Sequence, residues 1–366
     1  MLDKVLIVNR GEIAVRIIRA CRLLDIKSIA IFSEEDPSAL HVKMADEAYH
    51  LGTGAVQDTY LNIQKIIQIA HDSGADAIHP GYGFLSESSI FASEIEKTKI
   101  KFVGPSSKVL EELGNKLIAK TYAEEANIPT VPGSAGAITS LSEAESVCEE
   151  IGYPIIIKAA FGGGGKGMEI VNSPSSLEVS LLGCQSIAKK FFGRKEVFIE
   201  KYISSPRHVE IQFLADNFGN IVHIGDRECS IQRSHQKIIE EAPSFLDNKT
   251  RNDLGEKVCS LAEKLRYTNA GTAEFLWREG NLYFNEINPR IQVEHPITEM
   301  ITNIDLVAQQ LRITNDEELA YKQKDITFRG HAIEFRINAE DPLKSFYPQS
   351  GVVSSLNIPG GNFVRF

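Results

Sequence analysis

The sequence predicts an α/β and α+β protein of several layers, and three observations carry that expectation. Short apolar runs alternate with helical patterns over the first hundred residues. A glycine-rich loop follows a strand that ends near Lys158. From Ser204 onward, polar and apolar residues alternate along extended stretches.

Each element follows in order. Residues 5–8, 28–32, 76–79 and 101–103 read as strands. Between the first two, Ile13, Ile17, Ala20 and Leu24 recur at helical spacing, and Ile63, Ile66, Ile67 and Ala70 do so further on. This β-α-β-α rhythm argues for a parallel sheet covered by helices. The turn Asn9-Arg10-Gly11-Glu12 lacks G-x-G-x-x-G, so a dinucleotide site there is weakly supported. A second unit begins near residues 129–133. It holds a strand over 154–158, the glycine loop, a helix over 177–188 and a strand over 196–200. Residues 208–213 alternate polar and apolar, as a half-buried strand does. Residues 272–277 and 282–287 read as a hairpin around residues 278–281. Residues 351–358 and 362–366 read as strand-like stretches separated by Pro359-Gly360-Gly361, a turn signal. The expected boundaries are an α/β domain over 1–113, a linker over 114–130, a small glycine-loop domain over 131–203 and a mixed domain over 204–366.

Composition narrows the function classes. A chain of 366 residues has room for two or three domains with ample core. Hydrophobic residues at 43% and charged residues at 24% are ordinary for a soluble globular protein. Apolar stretches such as 5–8 are too short to span a bilayer. The chain opens almost at once on a strand, without the pattern of a secretory leader. Cys21, Cys148, Cys184, Cys229 and Cys259 lie far apart with no C-x-x-C, which favours reduced thiols in a cytosol over a disulfide framework or zinc site. A formal net charge of -10 gives no general attraction for nucleic acid, so an anionic substrate needs a local basic pocket.

The strongest local pattern runs over residues 286–294. Glu286, Asn288, Arg290, Gln292 and Glu294 alternate with Ile287, Pro289, Ile291 and Val293. Extended, one face presents two carboxylates, two amides and a guanidinium. Pro289 argues against a central ladder position, so the strand runs into an irregular segment. A solvated edge strand alternates in the same way. The preceding strand tips the balance. A three-residue loop centred on Gly280 sets Glu274 opposite Glu286, and like charges so opposed need compensation. Mg²⁺ takes carboxylate oxygens together with substrate phosphates. A two-residue loop would instead slip the pair onto opposite faces.

Other segments add polar groups. The backbone N–H groups of Gly162, Gly163, Gly164 and Gly165 can approach phosphate oxygens, and Lys158 can reach one as a point charge. The Walker pattern G-x-x-x-x-G-K-[ST] does not fit, and a mobile turn is the alternative. Residues 227–237 supply Gln232, Arg233, His235 and Lys237, while Cys229 reads equally as a small buried side chain. His79-Pro80-Gly81-Tyr82-Gly83-Phe84 lies at the end of a predicted strand, where open α/β sheets bind ligands.

Taken together, these segments resemble the biotin carboxylase family. The matching stretches are VNRGEIAVRIIRAC from Val8, IHPGYGFLSE from Ile78, PIIIKAAFGGGGKGM from Pro154, RHVEIQ from Arg207, CSIQRSHQKIIEEAP from Cys229, EINPRIQVEHPITEM from Glu286 and HAIEFRINAEDP from His331. They keep the family's order over nearly the whole chain. Other ATP-grasp ligases share the glycine loop and acidic pair, but not HQKIIEEAP or IQVEHPITEM.

The resemblance implies an ATP-grasp fold with an N-terminal Rossmann-like domain. It implies a ligase that uses MgATP and bicarbonate, via carboxyphosphate, to carboxylate biotin on a carrier protein. This is the first half-reaction of an acetyl-CoA, propionyl-CoA or pyruvate carboxylase. By the same resemblance, Lys116 and Lys158 contact phosphates beneath Gly162, Gly163, Gly164 and Gly165. Glu200, Lys201 and Ile203 hold adenine, and His208, Gln232 and His235 line the nucleotide pocket. Glu274, Glu286 and Asn288 hold Mg²⁺ or Mn²⁺. Lys237, Arg290, Gln292, Val293 and Glu294 form the bicarbonate site, with Glu294 the base. Tyr82 and Arg336 lie near biotin, and Arg336 stabilises its enolate oxygen. Expected partners are a second copy in a homodimer, a biotin carboxyl carrier protein or domain, and a carboxyltransferase subunit. Neither nucleic acid nor membrane is expected, and the location is the cytoplasm.

Some positions depart from the family pattern. Lys166 and Ser234 stand where Arg is usual, Glu169 replaces a basic residue, Ser88 replaces Asn and Asn303 replaces Gly. Family members continue beyond PGG-x-x-V-R, so the resemblance also implies a fragment of a longer polypeptide. Two alternatives stay open on the sequence: another bicarbonate-activating ATP-grasp ligase, and a non-catalytic, truncated nucleotide-binding module.

Overall fold

The apolar runs near the start form a parallel sheet. β1 (Lys4–Ile7), β2 (Lys27–Phe32), β3 (Glu47–His50), β4 (Ala77–His79) and β5 (Lys101–Phe102) lie in the order β3-β2-β1-β4-β5, every pair parallel. β3 is the strand the periodicity does not mark. It is a short edge strand of mixed polarity, half-buried on one face only. The connecting helices are α1 (Gly11–Leu23), α2 (Leu40–Met44), α3 (Ile63–Asp72) and α4 (Ser89–Glu96). α1 buries Ile13, Ile17 and Ala20 at helical spacing. α4 starts on Ser88, whose hydroxyl accepts from the Phe91 N–H, so a serine caps here as well as the family's asparagine.

The computed structural model describes residues 1–162, 167–234 and 236–366. Its contacts divide into two units, Met1–Glu334 and Phe335–Phe366. Gly163, Gly164, Gly165 and His235 therefore lie outside the described residues. Among the described residues, no helix is long and apolar enough to cross a membrane. The five cysteines are free thiols.

After α5 (Ser107–Leu113), α6 (Lys116–Glu125) and α7 (Leu141–Ile151), a second sheet forms from β6 (Ile155–Ala159), β7 (Met168–Val171) and β8 (Val197–Lys201). Its order is β7-β6-β8, antiparallel throughout. α7 and α8 (Leu177–Phe192) cover it, and Ala144, Cys148, Leu181 and Cys184 pack on Ile155, Ile157, Val197 and Ile199.

The third sheet contains β9 (Arg207–Ala215), β10 (Ile221–Arg233), β11 (Gln236–Ala242), β12 (Asn269–Arg278), β13 (Asn281–Asn288) and β14 (Ala332–Phe335), in the order β13-β12-β9-β10-β11-β14. α9 (Asn248–Lys264) packs Leu254, Val258 and Leu261 on its apolar face. α10 (His295–Thr302) follows β13, and α11 (Leu306–Thr314) packs against α1 in a core shared with the first sheet. α10 ends on Asn303 in the left-handed region at φ 59°, a conformation asparagine tolerates where the family has glycine.

Two expectations need correction. β9 is not half-buried, since Glu210 and Gln212 on its polar face are fully enclosed. That face looks into a network of charged groups inside the protein. Residues 351–358 and 362–366 form no strand among the described residues. Val352 and Phe363 are 95% and 92% exposed, and no neighbouring strand completes a ladder. The second unit has one short antiparallel pair, β15 (Glu340–Asp341) with β16 (Tyr347–Pro348).

The hairpin reaches the expected pairing by another route. Arg278 pairs with Asn281, so the loop has two residues, Glu279 and Gly280, both with positive φ (51° and 86°). Phe275 pairs with Phe284 and Glu274 with Glu286, which leaves Asn285 as an extra residue in a bulge. The bulge shifts the register by one and restores Glu286 opposite Glu274.

Candidate active site

The loop after β4 begins at a buried imidazole. His79 Nδ1 accepts from the Gly81 N–H at 3.1 Å, and burial pushes the ring down to about 3, so it stays neutral. Asn9 donates to the carbonyls of Pro80 and Tyr82 at 2.8 and 2.7 Å. Gly81 has φ +65°, and a Cβ there would sit 3.0 Å from both Asn9 and Ile13. Tyr82 is half-buried and donates to Glu12 at 2.5 Å.

Beyond this loop opens a cleft of about 380 Å³. Gly83, Phe84, Ser86 and Glu87 line one side, Gly114, Lys116 and Gly162 another, and Glu286, Asn288 and Arg290 a third. Thus Lys116, Gly162, Glu286, Asn288 and Arg290, far apart in sequence, share one cavity. Lys116 Nζ lies 3.3 Å from Glu286. Arg290 donates to Glu87 at 2.6 Å and to Asn288 at 3.0 Å. Burial would lower the Arg290 guanidinium, but Glu87 outweighs it and holds it above its usual range.

Asn288 joins the cleft to a buried charged cluster. Its amide nitrogen donates to Glu274 Oε1 at 2.8 Å. The same oxygen accepts from Gln292 and Lys237, each at 2.8 Å. Lys237 Nζ also donates to Glu294 at 2.7 Å and to Glu210. Burial alone would push this ammonium down, but Glu210, Glu274 and Glu294 together hold it well above the usual lysine range. Burial would raise Glu274, but Lys237 and His208 hold it well below the carboxylate range. His208 Nε2 lies 2.9 Å from Glu274, whose charge raises the imidazole against its burial.

Beneath the cluster sits Arg227, fully buried. Its guanidinium donates to Glu210, to Gln212 at 2.8 Å, to Thr298 at 3.0 Å, to Thr272 at 3.3 Å and to Gln292 at 2.6 Å. Glu210 and Arg227, with Glu87 at the cleft, carry no signal of their own in the sequence. Glu210 falls within the alternation of residues 208–213, where a polar face turned inward looks the same as one in water.

The remaining candidates sit around β8 and β10. Lys158 Nζ lies 2.8 Å from Glu200, which also faces Lys120 at 3.4 Å. The Lys201 ammonium donates to the carbonyls of Gly152 and Tyr153 at 3.1 and 3.0 Å. Ile203 and Val293 are half-buried. Gln232 is exposed and donates to the Cys229 carbonyl at 2.9 Å. Arg336 belongs to the second unit. Glu169 is exposed on β7 and accepts from Ser180 at 2.7 Å.

As donors for a metal, two carboxylates and an amide oxygen are the hard ligands that magnesium-sized cations take. The Glu286 side chain remains 32% exposed, and Lys116 stands in a cation's place beside it. The residues present therefore fit a divalent ion. The arrangement as a whole places cations and amide donors for an anion next to a carboxylate that can accept a proton.

Comparison with known proteins gives a consistent picture. Residues 1–110 match the family model described as biotin carboxylase, N-terminal domain. Residues 115–322 match that of the carbamoyl-phosphate synthase L chain, ATP binding domain. The chain is 50% identical over 368 residues to biotin carboxylase 1 of Bacillus subtilis, covering all of this chain and 82% of that protein. It is 50% identical over 366 residues to a pyruvate carboxylase subunit of Methanothermobacter thermautotrophicus, again across the whole chain and 74% of the relative. Among solved structures, it is similar to the biotin carboxylase domain dimer of Hydrogenobacter thermophilus 2-oxoglutarate carboxylase, in complex with MgADP, ADP and bicarbonate. The TM-score is 0.95 at 49% identity, over 99% of this chain and 80% of that one.

Proposed function

Because this chain belongs to the biotin carboxylase family, we propose that its cleft and charged cluster carry out the ATP-dependent carboxylation of biotin by bicarbonate. The reaction forms a C–N bond, consuming ATP and releasing ADP and phosphate. The observation that carries the site assignment is the Lys237 ammonium held among Glu210, Glu274 and Glu294, next to the Gln292 amide.

Bicarbonate is a poor electrophile and needs activation by phosphoryl transfer to carboxyphosphate. Lys237, Arg290, Gln292 and Val293 hold the anion, and Glu294 takes its proton as general base. Lys116 and Lys158 turn from their carboxylate partners to the phosphates. The backbone N–H groups of Gly162, Gly163, Gly164 and Gly165 are assigned to the same phosphates, the last three lying outside the described residues. Glu200, Lys201 and Ile203 hold adenine, and His208, Gln232 and His235 line the nucleotide pocket. Glu274, Glu286 and Asn288 hold Mg²⁺ or Mn²⁺, which when bound offsets negative charge on the phosphates. Biotin is the ligand proposed, by the family resemblance alone, for Tyr82 in the first unit and for Arg336 in the second. Carboxyphosphate breaks its C–O bond to give CO₂ and phosphate, and the phosphate takes the ureido N–H proton. Arg336 stabilises the enolate oxygen so formed, and the ureido nitrogen attacks CO₂ to make the C–N bond.

The division into residues 1–113, 114–130, 131–203 and 204–366 belongs to the same proposal. So do a homodimer, a biotin carrier, a carboxyltransferase partner and a cytoplasmic location, the last supported by five free cysteines. The carboxyltransferase then selects the acceptor.

The test is ATP hydrolysis by the purified chain with and without bicarbonate and free biotin. The expected result is hydrolysis that requires bicarbonate and rises with biotin. Equal hydrolysis without bicarbonate would overturn the reading.

A further inference from the structure

Arg227 opens the segment 227–237 but is itself assigned no contact with nucleotide, metal or bicarbonate, yet its five hydrogen bonds tie together β9, β12, α10 and the chain after β13. Two of those bonds lead directly to the reacting groups. A glutamine amide can present either its oxygen or its nitrogen. A guanidinium only donates, so Gln292 turns its oxygen to Arg227 at 2.6 Å. Its nitrogen is thereby committed to Glu274 at 2.8 Å, an oxygen that only accepts. Glu210 is fixed in the same manner, with Oε1 on Arg227 and Oε2 on Lys237.

We propose that Arg227 is a positioning residue for the bicarbonate step, setting the Gln292 amide directly and the Lys237 ammonium through Glu210. The proposal rests on the reading above that Gln292 and Lys237 contact bicarbonate. Without Arg227, Glu210 is a buried carboxylate that pulls Lys237 toward itself and away from Glu274 and Glu294. Lysine cannot substitute, because a point ammonium lacks the planar fork that spans these partners. The effect is local to the bicarbonate side. Lys116, Lys158 and Glu200 are held by other contacts.

The experiment uses the full chain as Arg227→Lys, Gln292→Ala and the two combined. It measures thermal unfolding, binding of a non-hydrolysable ATP analogue with Mg²⁺, and kcat and the bicarbonate KM of biotin-stimulated hydrolysis. In Arg227→Lys we expect the bicarbonate KM to rise roughly tenfold and kcat to fall roughly 10²-fold, the scale of a misplaced group. Analogue affinity stays within about twofold. Combined with Gln292→Ala, the losses fall well short of multiplying, because the two residues act as one unit. If Arg227→Lys does not fold, Glu210→Gln/Arg227→Gln replaces it. That pair leaves no buried charge unmatched and must show the same rise in bicarbonate KM. An unchanged bicarbonate KM in a folded variant, multiplicative losses, or an equal loss of analogue binding overturns the proposal. An unchanged bicarbonate KM in Gln292→Ala alone overturns the bicarbonate reading itself.

Discussion

Glu294, the proposed base for bicarbonate, meets Lys237 at 2.7 Å within the buried cluster. Glu294→Gln keeps the shape but removes the base, so kcat should fall by roughly 10²–10⁴-fold with nucleotide binding nearly intact. Steady-state hydrolysis and analogue titration check both halves. His79 gives a residue-scale prediction about pH. Its folded pKa, about 3, lies below the ordinary 6.5, so the unfolded chain binds the extra proton first as pH falls. Its contribution is complete above pH 6.5 and lost between there and about 3. His41, His223 and His295 are also lowered by burial and act in the same direction. His79→Asn keeps an acceptor for Gly81 without a titrating ring. Its melting temperature should therefore fall less from pH 7 to 5 than that of the wild type. Part of this scale was legible in the alternation from Glu286 to Glu294: Glu294 meets Lys237, Asn288 and Gln292 share Glu274 with it, and Glu286 and Arg290 line the adjoining cleft. Arg227 was not, since a lone arginine in a strand looks the same whether it faces water or five buried acceptors.

Among the elements, the β12–β13 hairpin shows where sequence reading stops. The strands, the turn and the opposition of Glu274 to Glu286 were all legible. The means was not: a two-residue turn and a bulge at Asn285 together give the register expected from a three-residue loop. Bulges carry weak local signals because any residue can be the extra one. The turn itself demands positive φ at Gly280, where a Cβ would meet open space, so only backbone strain opposes substitution. Gly280→Val should cost about 1–2 kcal/mol and Gly280→Asn distinctly less, since asparagine tolerates this region. Urea unfolding checks this, with a lower midpoint and an unchanged slope expected. The terminal stretches fail in the opposite sense. Their apolar residues read as strands, but a strand exists only where a neighbour accepts its hydrogen bonds.

At the scale of the whole molecule, the parallel order of β1, β2, β4 and β5 follows from the alternation with helices, and the structure shows it. What joins this layer to the last sheet was hidden. Arg16 on α1 bonds Glu299 at 2.7 Å and Asp305 at 2.5 Å, across nearly three hundred residues of sequence. The cores on either side merge through Ile17, Leu306 and Leu311. Long-range ion pairs of this kind have no periodicity to betray them. Arg16→Met leaves Glu299 buried without this cation and should cost about 3–5 kcal/mol, the usual penalty for breaking a buried pair from one side. Denaturant unfolding measures it directly.

The cations of the cleft and cluster come already matched: Lys116 with Glu286, Lys158 with Glu200, Arg290 with Glu87 and Lys237 with Glu274. From a Debye length away such dipoles largely cancel, so an approaching polyanion feels little of the local basic charge. Recognition becomes a swap of counter-ions at contact rather than a pull through solvent. For a chain whose overall charge is -10, the field that reaches an approaching nucleotide is then the net negative one, so added salt should ease its arrival by screening that repulsion.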